Sequence, residues 1–286
     1  MDLLKRTPDE YKEWATQTIT SAWDFTKFME FPFIADTTSK YIPISEVSLI
    51  NAFFEKLFWL IRDCYPQDDS RAMSFFGRLF ERYIQDLTEN ACEDPCLFIG
   101  EFSIGGKSSD AYLRRSNNLL AVEAKGFSVL ADCMAKNENI ERNNKKLFIA
   151  PVLQADKFFS NAFEQINEFS GVDSIYVISV TMDNVNAVPN YYQKIHQEIV
   201  AEKQCSLVHY YFNFSIEEYE MLMSLIEMDV NIFPLLKSYF EMNTLTPFSN
   251  YLLERYPSIG MTSFMEKCYK DASSKMKAVL FGEEMD

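Results

Sequence analysis

The chain has 286 residues, 48% of them hydrophobic and 15% aromatic, which excludes a disordered or fibrous polypeptide. A formal net charge of −15 excludes a protein coated in the basic residues that neutralise phosphates. The acidity is uneven: residues 1–70 hold 7 basic and 12 acidic side chains, residues 71–150 hold 11 and 11, and residues 151–286 hold 9 and 19.

The six cysteines are scattered, as expected of free thiols in a reducing cytoplasm, and Cys92 and Cys96 lack the second pair or histidine that a tetrahedral zinc site requires. The first thirty residues carry Asp2, Asp9, Glu10 and Glu13 and no apolar run, so no signal peptide is read there. No stretch reaches the roughly 18 uninterrupted apolar residues of a membrane span. A cytoplasmic protein without a membrane partner is expected.

Taken in chain order, residues 8–30 and 44–64 have helical periodicity and define an N-terminal helical region over residues 1–70. A further helix is expected from about 71 to 90, where Phe76, Leu79, Phe80, Tyr83 and Leu87 form one apolar stripe. Three β-type runs follow, Leu97 to Ile104, Asp110 to Arg115 and Leu119 to Lys125, separated by Gly105-Gly106-Lys107 and Ser116-Asn117-Asn118. Beyond them the pattern predicts a helix from about 127, a polar loop near Asn137 to Lys146 and a helix from about 152 to 169. A strand at Ser174 to Thr181, a helix at 190–203 and a strand at Ser206 to Phe214 come next. From Ile216 the periodicity is helical, interrupted at Pro234, Pro247 and Pro257. The expected architecture is a mixed α/β core over residues 71–215, flanked by N-terminal helices and by a C-terminal helical region, 216–286, suited to docking a partner.

The chemistry concentrates in one stretch. Strand side chains alternate faces, so Glu123 and Lys125 point the same way, about 7 Å apart, while Leu120, Val122 and Ala124 point the other way. A carboxylate and an ammonium on an apolar strand are costly to bury, so they should line a cleft or bind something. Hairpin register decides whether Asp110 joins them. With Asn117-Asn118 as a two-residue turn, Asp110 lies opposite Lys125 on the same face; a three-residue loop turns it away. In the two-residue register, two carboxylates converge beside one lysine, as an oxygen-coordinated Mg²⁺ requires.

The pattern of Asp110 with Glu123-Ala124-Lys125 resembles that of the PD-(D/E)XK, or restriction-endonuclease-like, nuclease superfamily, over roughly residues 75–180. The resemblance implies an α-β-β-β-α-β core and hydrolysis of DNA phosphodiester bonds with Mg²⁺, for which Mn²⁺ substitutes. Asp110 and Glu123 would hold the metal and Lys125 would stand beside them. It also implies a glutamate on the preceding helix, for which Glu81 is the match and a third metal ligand. A Gln or Lys on the following helix is assigned to Gln165, with Gln154 and Lys157 behind it. The usual proline before the first acid is replaced by Ser109. Members of this size act in restriction, anti-phage defence or repair.

Glu-x-Lys alone is a common tripeptide, and Glu10-Tyr11-Lys12 repeats it on a polar helix start where it reads as a solvated face. His196 and His209 have no nucleophilic Ser or Cys assigned to them, and Gly105-Gly106-Lys107-Ser108 lacks the first half of a phosphate-binding loop. Nucleic acid is expected on the least acidic third, through Lys107, Arg114, Arg115, Lys145 and Lys146, with Arg78, Arg82 and Arg142 nearby. The acidic remainder predicts weak binding of isolated DNA and a homo- or hetero-oligomer whose partner supplies basic surface or sensing. The alternative reading is a non-catalytic scaffold that keeps the fold and uses its acidic flanks to hold a protein.

Overall fold

The runs at 119–122 and 175–178 are apolar at every position rather than at alternate ones, which is the pattern of strands covered on both faces. A computed structural model bears this out. It describes residues 5–19, 27–28, 31–35, 40–46, 65, 71–104, 106–126, 140–182, 189–242 and 246–281. The helix expected over 44–64 lies almost wholly outside the described residues, as does the one expected from about 127. The chain divides into two compact units, Met1–Phe76 with Val129–Asn143, and Gly77–Ser128 with Asn144–Asp286.

In the first unit, β1 (Lys5–Arg6) runs parallel to β2 (Phe33–Ala35), which pairs antiparallel with β3 (Tyr41–Pro43). These short strands correct the all-helical reading of this region. Helix α1 (Pro8–Gln17) starts at a capping box in which Thr7 Oγ1 accepts from Glu10 N–H and Glu10 Oε2 accepts from Thr7 N–H. Glu10 of the Glu-Tyr-Lys tripeptide is therefore a helix cap, and its bonds to Thr7 hold its carboxyl below the usual range.

The second unit is built on a five-stranded sheet of order β4-β5-β6-β7-β8. Helix α2 (Arg71–Ala91) leads, from Gly77 onward, into an antiparallel meander of β4 (Leu97–Ile99), β5 (Ala111–Arg115) and β6 (Asn118–Lys125). Strand β4 stops at Ile99 rather than Ile104, because Gly100 follows and the Phe102 N–H turns to Ser108 Oγ, 2.9 Å away. The chain then passes through α3 (Ile140–Asn144), a π-helical turn (Lys145–Ile149) and α4 (Ala150–Ala162), replacing part of the expected polar loop. Strand β7 (Ser174–Thr181) is parallel to β6, and after α5 (Pro189–Glu202) strand β8 (Val208–Ser215) is parallel to β7.

Helices α6 (Ile216–Glu227), α7 (Ile232–Met242), α8 (Phe248–Arg255) and α9 (Ser263–Phe281) complete the chain. One face of the sheet, with Leu113, Leu120, Val122 and Ala124, packs on α2 and α6–α8; the other, with Tyr112, Leu119 and Ala121, packs on the π turn, α4 and α5. The carboxy-terminal helices thus share a core with the sheet.

The π turn has a local cause. Pro151 has no N–H with which to bond the Leu147 carbonyl one helical turn earlier, while the Ala150 N–H reaches back five residues to the Lys145 carbonyl. The Leu147 carbonyl accepts from Ser179 Oγ on β7, at 2.5 Å.

Candidate functional site

The β5–β6 hairpin turns at Ser116-Asn117, one residue earlier than expected, with Arg115 paired to Asn118 and Ser116 at φ 57°. Asn117 is the second residue of this turn and is held there by Asp173: its carbonyl accepts from Asp173 N–H, and its amide donates to Asp173 Oδ2 at 2.5 Å. The shift moves the partner of each β5 residue by two positions, so Asp110 falls level with Glu123 rather than Lys125. An even shift preserves the face.

Asp110 sits just before β5, buried, with its N–H on the Val122 carbonyl at 3.0 Å and its Oδ2 accepting from Ala124 N–H at 2.7 Å. Burial raises its pKa, with the Ala124 bond and then Lys125 opposing the rise. On α2, Gln85 donates to the Asp110 carbonyl at 2.9 Å, and Glu81 lies near enough to Asp110 and Lys125 to feel both charges. Burial, then Asp110, push the Glu81 carboxyl up. Helix and strand approach closely here: a Cβ on Gly126 would stand 3.1 Å from Phe80 Cβ and 3.4 Å from Gly77 Cα.

Glu123 is fully buried, and its two oxygens are treated differently. Oε2 accepts from Gln154 Nε2 at 2.7 Å and from Lys125 Nζ at 3.2 Å. Oε1 is buried with no hydrogen-bond partner. Desolvation therefore wins over Lys125, with Asp110 adding to the rise, and the carboxyl is pushed up to about 7. Glu123 is thus a buried carboxylate under-compensated by one lysine, with one oxygen unclaimed. Asp110 and Glu123 are the residues whose oxygens could hold a cation. Among the described residues no three His, Cys, Asp or Glu side chains converge as a preformed metal cluster, so Glu81 does not complete a three-carboxylate set in this arrangement.

The structure brings together Asp110, Glu123 and Lys125, with Glu81 at the margin, and substitutes Gln154 for Gln165. Gln165 lies in a 3₁₀ turn (Phe163–Gln165) past the end of α4, exposed, its amide donating to the Asn161 carbonyl. A helix following the end of β6 and returning to the start of β7 offers its first turns to the site, and Gln165 is about 16 Å further along. That geometry is implicit in the βαβ order and could have selected Gln154.

Two expected nucleic-acid contacts are otherwise engaged. Arg114 donates to the Ser116, Glu168 and Ser170 carbonyls, clamping the hairpin to the turn before β7. Arg115 pairs with Asp229 at 3.0 Å. Both lie at the hairpin end of β5, away from Asp110. Lys107 is exposed and near enough to Asp110 to act on it electrostatically. Lys145 and Lys146 are exposed on the π turn, Lys145 lying 3.6 Å from Glu198.

No protein-family profile matches the chain, and no curated protein matches it. Among solved structures, the chain is similar to the small subunit of the heterodimeric restriction endonuclease R.BspD6I, with 8% identity and a TM-score of 0.33 over 63% of this chain and 86% of that one. A likeness this distant assigns no activity.

Proposed function

We propose that the chain is a divalent-metal-dependent nuclease that hydrolyses DNA phosphodiester bonds on a restriction-endonuclease-like α-β-β-β-α-β core. The observation that carries the reading is the split environment of Glu123: one oxygen held by Gln154 and Lys125, the other buried and unpartnered, in a carboxyl near enough to Asp110 to feel its charge. Asp110 and Glu123 would hold Mg²⁺, or Mn²⁺ in its place, with Glu81 a further carboxylate near Asp110. The ion supplies polarisation of the scissile phosphate and a lowered pKa for the attacking water. Lys125, on the same face as Glu123, orients that water and donates to the phosphate oxygen on which negative charge builds. Gln154 holds Oε2 of Glu123 and so restrains its rotamer, leaving Oε1 as the oxygen that would serve a cation.

The electrostatics shape how the enzyme works. With Arg114 and Arg115 engaged within the protein, Lys107, Lys145 and Lys146 are the basic groups on this third best placed for DNA, and a chain of net charge −15 binds an isolated duplex weakly. The enzyme therefore works in a homo- or hetero-oligomer whose partner supplies basic surface or sensing, in a restriction, defence or repair setting. The same charge favours a second reading, a non-catalytic scaffold on this fold.

Incubation with linear, circular and single-stranded DNA and with RNA, in Mg²⁺, Mn²⁺ and EDTA, tests the proposal. Cleavage of DNA with either metal and none with EDTA is expected. No cleavage by the chain or by the complex purified from its native host, or cleavage that survives EDTA, would sink it. A scaffold keeps its biological role when Asp110 and Glu123 are changed to Asn and Gln; a nuclease loses it while staying folded.

A further inference from the structure

Glu123 Oε1 is not the only orphan at the site. Ser109 Oγ is likewise buried without a hydrogen-bond partner, on a residue of which nothing is exposed. Everything around that hydroxyl is fixed. The Ser109 N–H donates to Tyr112 Oη at 2.9 Å, and its carbonyl accepts from Ser108 Oγ at 3.1 Å. Ser108 Oγ accepts in turn from the Phe102 N–H. Tyr112 is fully buried among Phe102, Phe158 and Phe169. The backbone before Asp110 is therefore locked, and the one polar group left over is the hydroxyl.

The two orphans are neighbours. The Ser109 hydroxyl lies close enough to Glu123 and to the Tyr112 hydroxyl to favour the ionised form of each, yet it completes a hydrogen bond with neither in distance and angle. A buried hydroxyl with no partner is unfavourable, and alanine would hold the same backbone without it. An acceptor-only carboxylate oxygen and a hydroxyl with both donor and acceptor capacity are together satisfied by one hydrated cation. Mg²⁺ sheds its waters reluctantly and is held by one or two carboxylates plus water, so its bound waters need protein acceptors.

We propose that Ser109 is a further residue of the cation site, its hydroxyl accepting a hydrogen bond from the hydration shell of a divalent cation held by Asp110 and Glu123. The inference rests on the metal-dependent reading above and assigns Ser109 a binding role that the acid-lysine pattern does not contain. Groups that hold a cation's outer sphere typically change its affinity 10- to 100-fold.

The test is calorimetric titration of the full chain with Mn²⁺ and Mg²⁺, with melting temperature measured without metal. For Ser109→Ala, affinity for both ions falls about tenfold or more, while the metal-free melting temperature is unchanged or higher because an orphan hydroxyl is gone. Ser109→Cys, close in volume and a weaker acceptor, also binds more weakly and serves if the alanine variant does not fold. If the wild type binds both ions and Ser109→Ala binds them equally well, the inference is overturned while the cation site stands. It is equally overturned if the variant loses stability without losing affinity. If neither the wild type nor Glu123→Gln binds any divalent ion, both the inference and the metal-dependent reading fail.

Discussion

Replacing Glu123 by Gln keeps the shape and an acceptor for Gln154, and removes a charge that the fold compensates incompletely. In the folded chain the carboxyl titrates at about 7, against an ordinary value of 4.5. Between those values the native state holds a proton that the unfolded chain has released, so stability falls as pH rises. The contribution is fully present below the unfolded value and is lost as pH passes through the folded one. The interval corresponds to roughly 3 kcal/mol at about 1.4 kcal/mol per unit. Asp110 and Glu81 are shifted in the same direction and leave a smaller slope of the same sign in both proteins. Urea unfolding at about pH 5 and about pH 8, without metal, is the assay. The wild type should lose roughly 2 to 3 kcal/mol more than Glu123→Gln across that range, so that the variant is the more stable protein at the alkaline end. Saturating Mg²⁺ should restore the wild type at alkaline pH and leave the variant unchanged. Parallel pH profiles for the two proteins would refute the reasoning, because Glu123 would then carry no uncompensated charge.

Arg114→Ala removes three bonds to backbone carbonyls and should cost about 2 kcal/mol in chemical denaturation, with DNA affinity of the folded protein changed little; a large loss of affinity without destabilisation would return Arg114 to the nucleic-acid surface. Ser179→Ala strands the Leu147 carbonyl beside Pro151 and should cost about 1–3 kcal/mol. The same change should relax the π turn that precedes Gln154, weakening cation binding in calorimetry; unaltered stability would show that the carbonyl finds another donor.

What the sequence made legible follows from which signals are local. Strand parity is local: Glu123 and Lys125 share a face whatever the turn, and Asp110 joined them although the turn came a residue early, because the partner shifted by an even number. The turn position itself was decided at a distance, by Asn117 bonding to Asp173 ahead of β7. Strand β7 was readable because residues 175–178 are apolar at every position, whereas β1, β2 and β3 are too short to carry any periodicity. A guanidinium that clamps carbonyls looks, in sequence, like one that binds phosphate, so Arg114 could not be sorted. Ser109 stands out in sequence as a departure from a motif; only the burial of its hydroxyl marks it as an orphan.

A crystal grown with Mn²⁺ tests, through anomalous diffraction, the proposal that Asp110 and Glu123 hold a divalent cation beside Lys125. An anomalous peak about 2.2 Å from a carboxylate oxygen of each residue, with Glu123 Oε1 as the Glu123 ligand, is the predicted result. Unoccupied density between them at saturating Mn²⁺ and alkaline pH, or a peak bound elsewhere while Oε1 stays unpartnered, would contradict the account.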